Sequence, residues 1–153
     1  MQALEFRNAT TADLPFLIAL RHATMSEHLA RVNAARDDAS QLARVLVRFE
    51  HSRIVSANGQ DVGLLKAYRE PGQWYIAQIQ IAPQFQGQGL GRAIIENVLD
   101  QASRDRLPTA LKVLTGNPAR RLYEALGFRE TSQEDAEHLM VCPPRQEPVS
   151  TAG

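Results

Sequence analysis

Three glycines and one tyrosine mark where this sequence can do chemistry. Gly87, Gly89 and Gly91 lie in the stretch Gln78-Ile-Gln-Ile-Ala-Pro-Gln-Phe-Gln-Gly-Gln-Gly-Leu-Gly-Arg92. An apolar-alternating run ends there at Ile79 and Ile81. Pro83, with no backbone N–H to donate, stops it, and a helix is expected from Leu90 to Ser103. Glycines at the mouth of a helix let a ligand approach the backbone closely. The first-turn N–H groups have no intrahelical partner and sit at the positive end of the helix dipole. That is a cradle for an anion, phosphate above all. A glycine-rich connector is the plainer reading, but glycines weaken a helix start by roughly 1 kcal/mol each.

The nucleotide fingerprints do not fit these glycines. No Lys-Ser/Thr pair follows them, as a Walker loop requires. A Gly-x-Gly-x-x-Gly pattern begun at Gly87 would need its third glycine at Arg92, and one begun at Gly89 at Ile94. What stands there is Gln86-x-x-Gly89-x-Gly91.

Tyr123 carries a phenol on a short amphipathic helix, where a core aromatic is its plain reading. A phenol has a pKa of about 10, so it is protonated at neutral pH and can serve a departing group. For proton abstraction the strand Trp74 to Ile81 holds no carboxylate; Gln78 and Gln80 can orient a water but not deprotonate it. Arg21, Met25 and His28 recur at spacings of four and three on one helix face. His28 has the right chemistry for a base, and a solvated helix end is its bland alternative. His138, on the last strand, is a rival. Arg21 has the chemistry to pair with a carboxylate, although arginines on helices are mostly surface residues.

The elements that must position these groups can be read in order. Leu4 to Arg7 alternates as a first strand. Thr10, Thr11 and Asp13 offer caps for a helix from Leu14 to about Leu29. A second helix is expected from about Ser40 to Phe49, with Leu42, Val45, Leu46 and Phe49 on one face. Arg53 to Ala57 and Val62 to Arg69 are strands joined by Asn58-Gly59, a strong hairpin signal. Pro71-Gly72 turns the chain into the strand Trp74 to Ile81. After the glycine helix, Leu111 to Leu114 is a strand whose pairing is parallel to the previous one, because a helix separates them. A short helix from Ala119 to Leu126 ends at Gly127. Phe128 to Glu130 and His138 to Val141 are the last strands, with Thr131 to Glu137 as a turn or loop between them. Pro143 to Gly153 reads as a disordered tail, 143–153, after one domain over 1–142.

Gly116-Asn-Pro-Ala-Arg-Arg-Leu-Tyr-Glu-Ala-Leu-Gly-Phe128 is a second signature. Together with Gln86-x-x-Gly89-x-Gly91 it resembles the GNAT superfamily of N-acetyltransferases over about residues 1 to 142. The resemblance implies an α/β class, an α+β mixed sheet in the GNAT acyl-CoA N-acyltransferase fold. The order β-α-α-β-β-β-α-β-α-β-β agrees, and in that fold the central strands splay. It implies acetyl-CoA as co-substrate and no metal. Ile79, Ile81, Gln86, Gly87, Gln88, Gly89, Leu90, Gly91, Arg92, Asn117 and Tyr123 would contact the cofactor. The backbone N–H of Ile81 would be the oxyanion donor and Tyr123 the general acid. Asn117 would bond the pantetheine arm or serve as a helix N-cap. The base would be His28 or His138, or water. Arg21, Met25 and Gln78 would line the acceptor pocket.

The implied activity is acetyl transfer to a primary amine of a small molecule, amino acid or peptide by direct attack in a ternary complex. The alternative is a non-catalytic acyl-CoA-binding sensor or interaction module of the same fold. Dimerisation is common in the family. Composition bounds the rest. The formal net charge is zero and 44% of the residues are hydrophobic. No basic footprint for nucleic acid or anionic lipid follows, and no apolar run is long enough for a membrane span. The single cysteine, Cys142, makes no internal disulfide. A cytoplasmic location is expected.

Overall fold

The structure is a computed structural model that describes residues 4–31 and 38–145; for 25–31 and 38 only the backbone is described. The elements follow as β1 (Leu4–Asn8), α1 (Leu14–Arg31), α2 (Asp38–Leu46), β2 (Ser52–Ala57), β3 (Gln60–Glu70), β4 (Gln73–Ile81), α3 (Leu90–Arg104), β5 (Thr109–Leu114), α4 (Arg120–Ala125), β6 (Arg129–Glu134) and β7 (Glu137–Cys142). This is the order expected from the sequence. The strands form one mixed sheet in the order β1-β2-β3-β4-β5-β7-β6. The β4–β5 pair is parallel, as expected, and β1–β2, β2–β3, β5–β7 and β6–β7 are antiparallel. The chain divides into two compact units, Met1–Lys66 with Gln78–Gly91, and Ala67–Ala77 with Arg92–Gly153.

In the first unit Thr10 and Asp13 form a capping box around a 3-10 turn that leads into α1. Of the three expected caps, Thr10 is the one used. Arg7 clamps Asp13 with two bonds of 2.9 Å and reaches Asp61 at 3.1 Å. Asn58 and Gly59 have φ of 52° and 83°, the left-handed pair that a two-residue hairpin demands. Leu17, Leu20, Val45, Ile54, Leu64 and Ala82 make the core. Each large aliphatic side chain there contributes about 1.5–3 kcal/mol by leaving water.

α2 stops at Leu46, three residues before its expected end. Arg48 adopts a left-handed φ of 49°, and Phe49–His51 is a separate 3-10 turn. The ammonium of Lys66 takes the carbonyls of Val45 (3.1 Å) and Val47 (2.6 Å), the groups a continuing helix would have used. Of the expected apolar face, Val45 is buried, Leu42 and Phe49 are partly buried, and Leu46 is exposed. Gly63 makes a close approach necessary: a Cβ there would lie 2.2 Å from the Gln80 carbonyl oxygen.

In the second unit Trp74 is held from both ends. Its backbone N–H donates to Pro108 at 2.8 Å and its indole N–H to Asp105 at 2.8 Å. The ladder from β4 to β5 pairs Trp74, Tyr75 and Ile76 with Thr109, Ala110 and Leu111. On α3 the residues Ile94, Val98 and Ala102 recur at helical spacing and are buried, with Ile95 and Leu99 buried beside them. The turn or loop expected over Thr131 to Glu137 is shorter than that: β6 continues to Glu134 and a tight turn at Asp135 and Ala136 leads into β7. β6 is an edge strand whose six residues are all exposed, so it carries no apolar alternation to read. Beyond β7, Arg145 donates its backbone N–H to Ser103 at 2.8 Å and reaches Asp100 at 3.6 Å. The remainder of the expected tail lies outside the described residues.

Candidate functional site

The first unit carries the glycine loop. β4 ends at Ile81, Pro83–Phe85 forms a 3-10 turn, and α3 starts at Leu90. Gly87 and Gly89 have φ of 79° and 82°, and the space where a Cβ would sit is open at both. Their glycine identity is therefore set by backbone conformation, and the surface above them is bare main chain. Gly91 lies in the first turn of α3, inside the helix expected from Leu90, and has no positive φ. Leu90 is buried and pins the helix start, while Gln88 is exposed.

Gln86 takes a different part from the one expected for its amide. Its backbone N–H donates to Pro83 at 3.2 Å, which removes it from the donors available to an anion. Its side-chain Nε2 donates to the Ile81 carbonyl at 2.9 Å and ties the loop back to the end of β4. Arg92 is half exposed and paired with Glu96 at 3.1 Å, one turn along the helix. Ile79, Ile81 and Gln78 are partly buried. Gln80 is buried and its Nε2 has no hydrogen-bond partner.

The second unit carries Tyr123 and Asn117. Asn117 Oδ1 accepts from the Ala119 N–H at 2.9 Å, and the Arg120 N–H returns to the Asn117 carbonyl at 3.1 Å. This Asx turn precedes α4, whose N-cap is Ala119, so Asn117 is not itself the N-cap. Tyr123 lies in α4 and meets Phe128 edge-on, with ring centroids 6.0 Å apart. The N–H of Phe128 takes the Tyr123 carbonyl at 3.0 Å, and that of Gly127 takes Glu124 at 3.1 Å. With Gly127 at φ 108° this is a Schellman stop. Burial pushes the Tyr123 phenol above its ordinary pKa, so it stays protonated at neutral pH.

His138 sits in a chain of polar contacts. Its Nδ1 meets Glu130 at 2.8 Å, its Nε2 meets the Thr115 hydroxyl at 2.7 Å, and Glu130 also pairs with Arg120 at 2.9 Å. The imidazole of His138, then the guanidinium of Arg120, hold the Glu130 carboxyl below its usual range. Both ring nitrogens are thus engaged by protein groups. Glu130 and Arg120 were not legible as its partners, because their meeting depends on the β6–β7 register that the polar edge strand hides.

Arg21 departs from the surface arginine that helix statistics favour. It is 6% exposed, its Nε donates to Gln41, and its Nη1 is buried without a partner. Burial, aided by the charge of Arg44, lowers its pKa. Lys66, 3% exposed, is a further buried cation that the sequence reading did not single out. A lysine following Val62-Gly-Leu-Leu in an apolar strand was the available signal. Burial first, and Arg21 next, bring its pKa from 10.5 down to about 8. Met25 and His28 lie on α1, but their side chains fall outside the described residues.

Mixed sheet, glycine loop and tyrosine helix together fit one family. The chain matches the acetyltransferase (GNAT) domain over residues 23–142 and belongs to that family. Over 56 residues, 35% of the chain, it is 41% identical to the ribosomal-protein-bS18-alanine N-acetyltransferase of Escherichia coli K12. The match spans 38% of that relative's length. An acetyltransferase structure from Thermus thermophilus superposes with a TM-score of 0.75 at 24% identity, covering 94% of this chain and 99% of that one. The PaiA N-acetyltransferase from Thermoplasma acidophilum, in complex with coenzyme A, gives a TM-score of 0.75 at 12% identity and covers 92% and 99%. Among the described residues no helix is long and apolar enough to cross a membrane.

Proposed function

We propose that this protein transfers an acetyl group from acetyl-CoA to a primary amine of a small molecule, amino acid or peptide, by direct attack in a ternary complex. The observation that carries this reading is the bare, positive-φ backbone at Gly87 and Gly89 leading into α3. The N–H groups from Gly87 to Arg92 would hold the pyrophosphate, at the positive end of the helix dipole. In the reaction the amine nitrogen attacks the thioester carbon and the C–S bond breaks. The Ile81 N–H would stabilise the developing oxyanion. Tyr123, held protonated by burial, would give its proton to the thiolate of coenzyme A. With both nitrogens of His138 engaged, the proton lost by the amine would go to His28 or to water.

Calorimetric titration with acetyl-CoA and with ADP tests the cofactor. Micromolar binding of acetyl-CoA, with ADP much weaker, is expected. Absence of acetyl-CoA binding would overturn the reading. A screen of amines for release of free thiol then separates an enzyme from a non-catalytic acyl-CoA-binding module, which would bind and release nothing.

A further inference from the structure

α4 is six residues long, too short to hold itself in water, so its place is set by what grips its two ends. At the C-terminal end Phe128 is fully buried and its N–H holds the Tyr123 carbonyl, while Arg129 of β6 reaches the Glu124 carbonyl at 3.3 Å. At the N-terminal end the Asn117 side chain bonds only within its own turn, to Ala119. The grip on a strand comes from Arg120, whose Nη1 meets Glu130 Oε1 of β6 at 2.9 Å while its Nε keeps Glu124 at 3.3 Å. The same Oε1 lies 2.8 Å from His138 Nδ1 on β7. His138 Nε2 in turn lies 2.7 Å from the hydroxyl of Thr115, just past β5. The first turn of α4 is thus tied through one carboxylate oxygen to the β6–β7 hairpin and to the end of β5.

Tyr123 follows Arg120 by three residues, so the two share one face of α4. Burial is the one influence on the pKa of its phenol, with no hydrogen bond and no neighbouring charge acting on it among the described residues. Its oxygen is therefore not aimed by a bond of its own. Its direction follows from the placement of α4 and from the edge-on contact with Phe128. The Arg120–Glu130 pair is about one-third exposed on both sides, and ion pairs of that kind add little to stability. A shift of about 1 Å in a reacting group, by contrast, can lower a rate about a hundredfold. The tie is therefore weak as a prop for the fold and strong as a means of aiming the phenol.

We propose that Glu130 and Arg120 are positioning residues for Tyr123: their pairing, held in line by His138 and Thr115, sets the first turn of α4 against the β6–β7 hairpin and so aims the phenol. The use of that phenol as an acid rests on the acetyl-transfer reading above, while the tie from Glu130 to α4 is independent of it. Two measurements keep the two apart. The first is amide hydrogen exchange in the chain without acetyl-CoA, read at the Tyr123 N–H, which bonds the Ala119 carbonyl at 3.2 Å. Glu130→Ala is expected to speed that exchange at least about tenfold with the urea midpoint nearly unchanged. Glu130→Gln, which keeps an acceptor oxygen for both Arg120 and His138, is expected to stay close to wild type. Unchanged exchange at Tyr123 in Glu130→Ala overturns the tie.

The second is steady-state kinetics with acetyl-CoA and the best amine from the thiol-release screen. Glu130→Ala is expected to lower kcat about tenfold with the KM for acetyl-CoA unchanged, and Glu130→Gln to recover most of the loss. In the Tyr123→Phe background, where no phenol is left to aim, Glu130→Ala is expected to change kcat no further. An equal loss of kcat in both backgrounds, or a wild-type kcat in Glu130→Ala, overturns the positioning role. Faster exchange at Tyr123 in Glu130→Ala, with no acetyl transfer by the wild-type chain to any amine, would instead sink the acetyl-transfer reading and leave the tie standing.

Discussion

The stretch leading into α3 and the stretch leading into α4 prepare a helix start in two different ways. The first is made of main chain: Gly87 and Gly89 take left-handed φ, no side chain covers them, and Gln86 ties the loop down from one end. The second is made of side chains: Asn117 closes an Asx turn, and Arg120, Glu130, His138 and Thr115 form a chain of contacts. A site made of backbone is damaged by adding atoms. A site made of side chains is damaged by removing them.

The largest effect expected is on the backbone side of this comparison. Gly63→Ala places a methyl 2.2 Å from the Gln80 carbonyl, so β3 and β4 must shift. A loss of about 3 kcal/mol or more in urea unfolding is expected; an unchanged midpoint would break the rule for this unit. Next comes deletion on the other side. Tyr123→Phe removes one oxygen and should lower kcat by about a hundredfold, the low end for a general acid, with acetyl-CoA affinity retained in calorimetry. Gly89→Ala forces a side chain into a φ of 82°. Strain of about 1–2 kcal/mol and roughly tenfold weaker acetyl-CoA binding are expected, with little effect on the thioester chemistry.

Two smaller effects sharpen the contrast through pH. Lys66 is a charged side chain held by main-chain carbonyls, with its pKa lowered to about 8 from 10.5. Between these values the unfolded chain binds more protons than the folded one, so stability rises with pH across that window. Urea midpoints measured from pH 7.5 to 10.5 should climb, and Lys66→Met should flatten the climb. On the side-chain half, His138 and then Arg120 lower the Glu130 pKa. Its contribution to stability is present above the usual carboxylate pKa and lost as pH falls through the lower folded value. Solvent screens this pair, so a slight acid-side loss is expected, reduced further in His138→Gln.

Legibility followed the same division. The glycine loop, the Asn58-Gly59 turn and the Gly127 stop were readable because each depends on a residue whose backbone freedom is printed in its identity. The buried face of α3 was readable from its spacing. β6 was not, since an exposed edge strand is held by main-chain bonds that any side chain permits. The early end of α2 was not, because it depends on Lys66, which comes from a strand some twenty residues later. Arg21 was singled out by its spacing with Met25 and His28, but its burial against Gln41 is a tertiary fact that no local pattern carries. The His138 contacts were hidden for the reason β6 was. Gly63 was a missed signal: a glycine inside an apolar strand already points to a close backbone approach.

Trp74 is the one tryptophan of the chain, and it lies in the second unit with its indole on Asp105 and Arg69 drawn to the same carboxylate at 3.3 Å. Its emission is therefore a built-in optical label for that unit alone. The first unit has no such fluorophore, and its melting shows only in signals averaged over the whole backbone. An unfolding curve in tryptophan fluorescence that coincides with one in far-ultraviolet circular dichroism would mean that the two units unfold as one cooperative block. Separate midpoints would report two folding units within a single sheet.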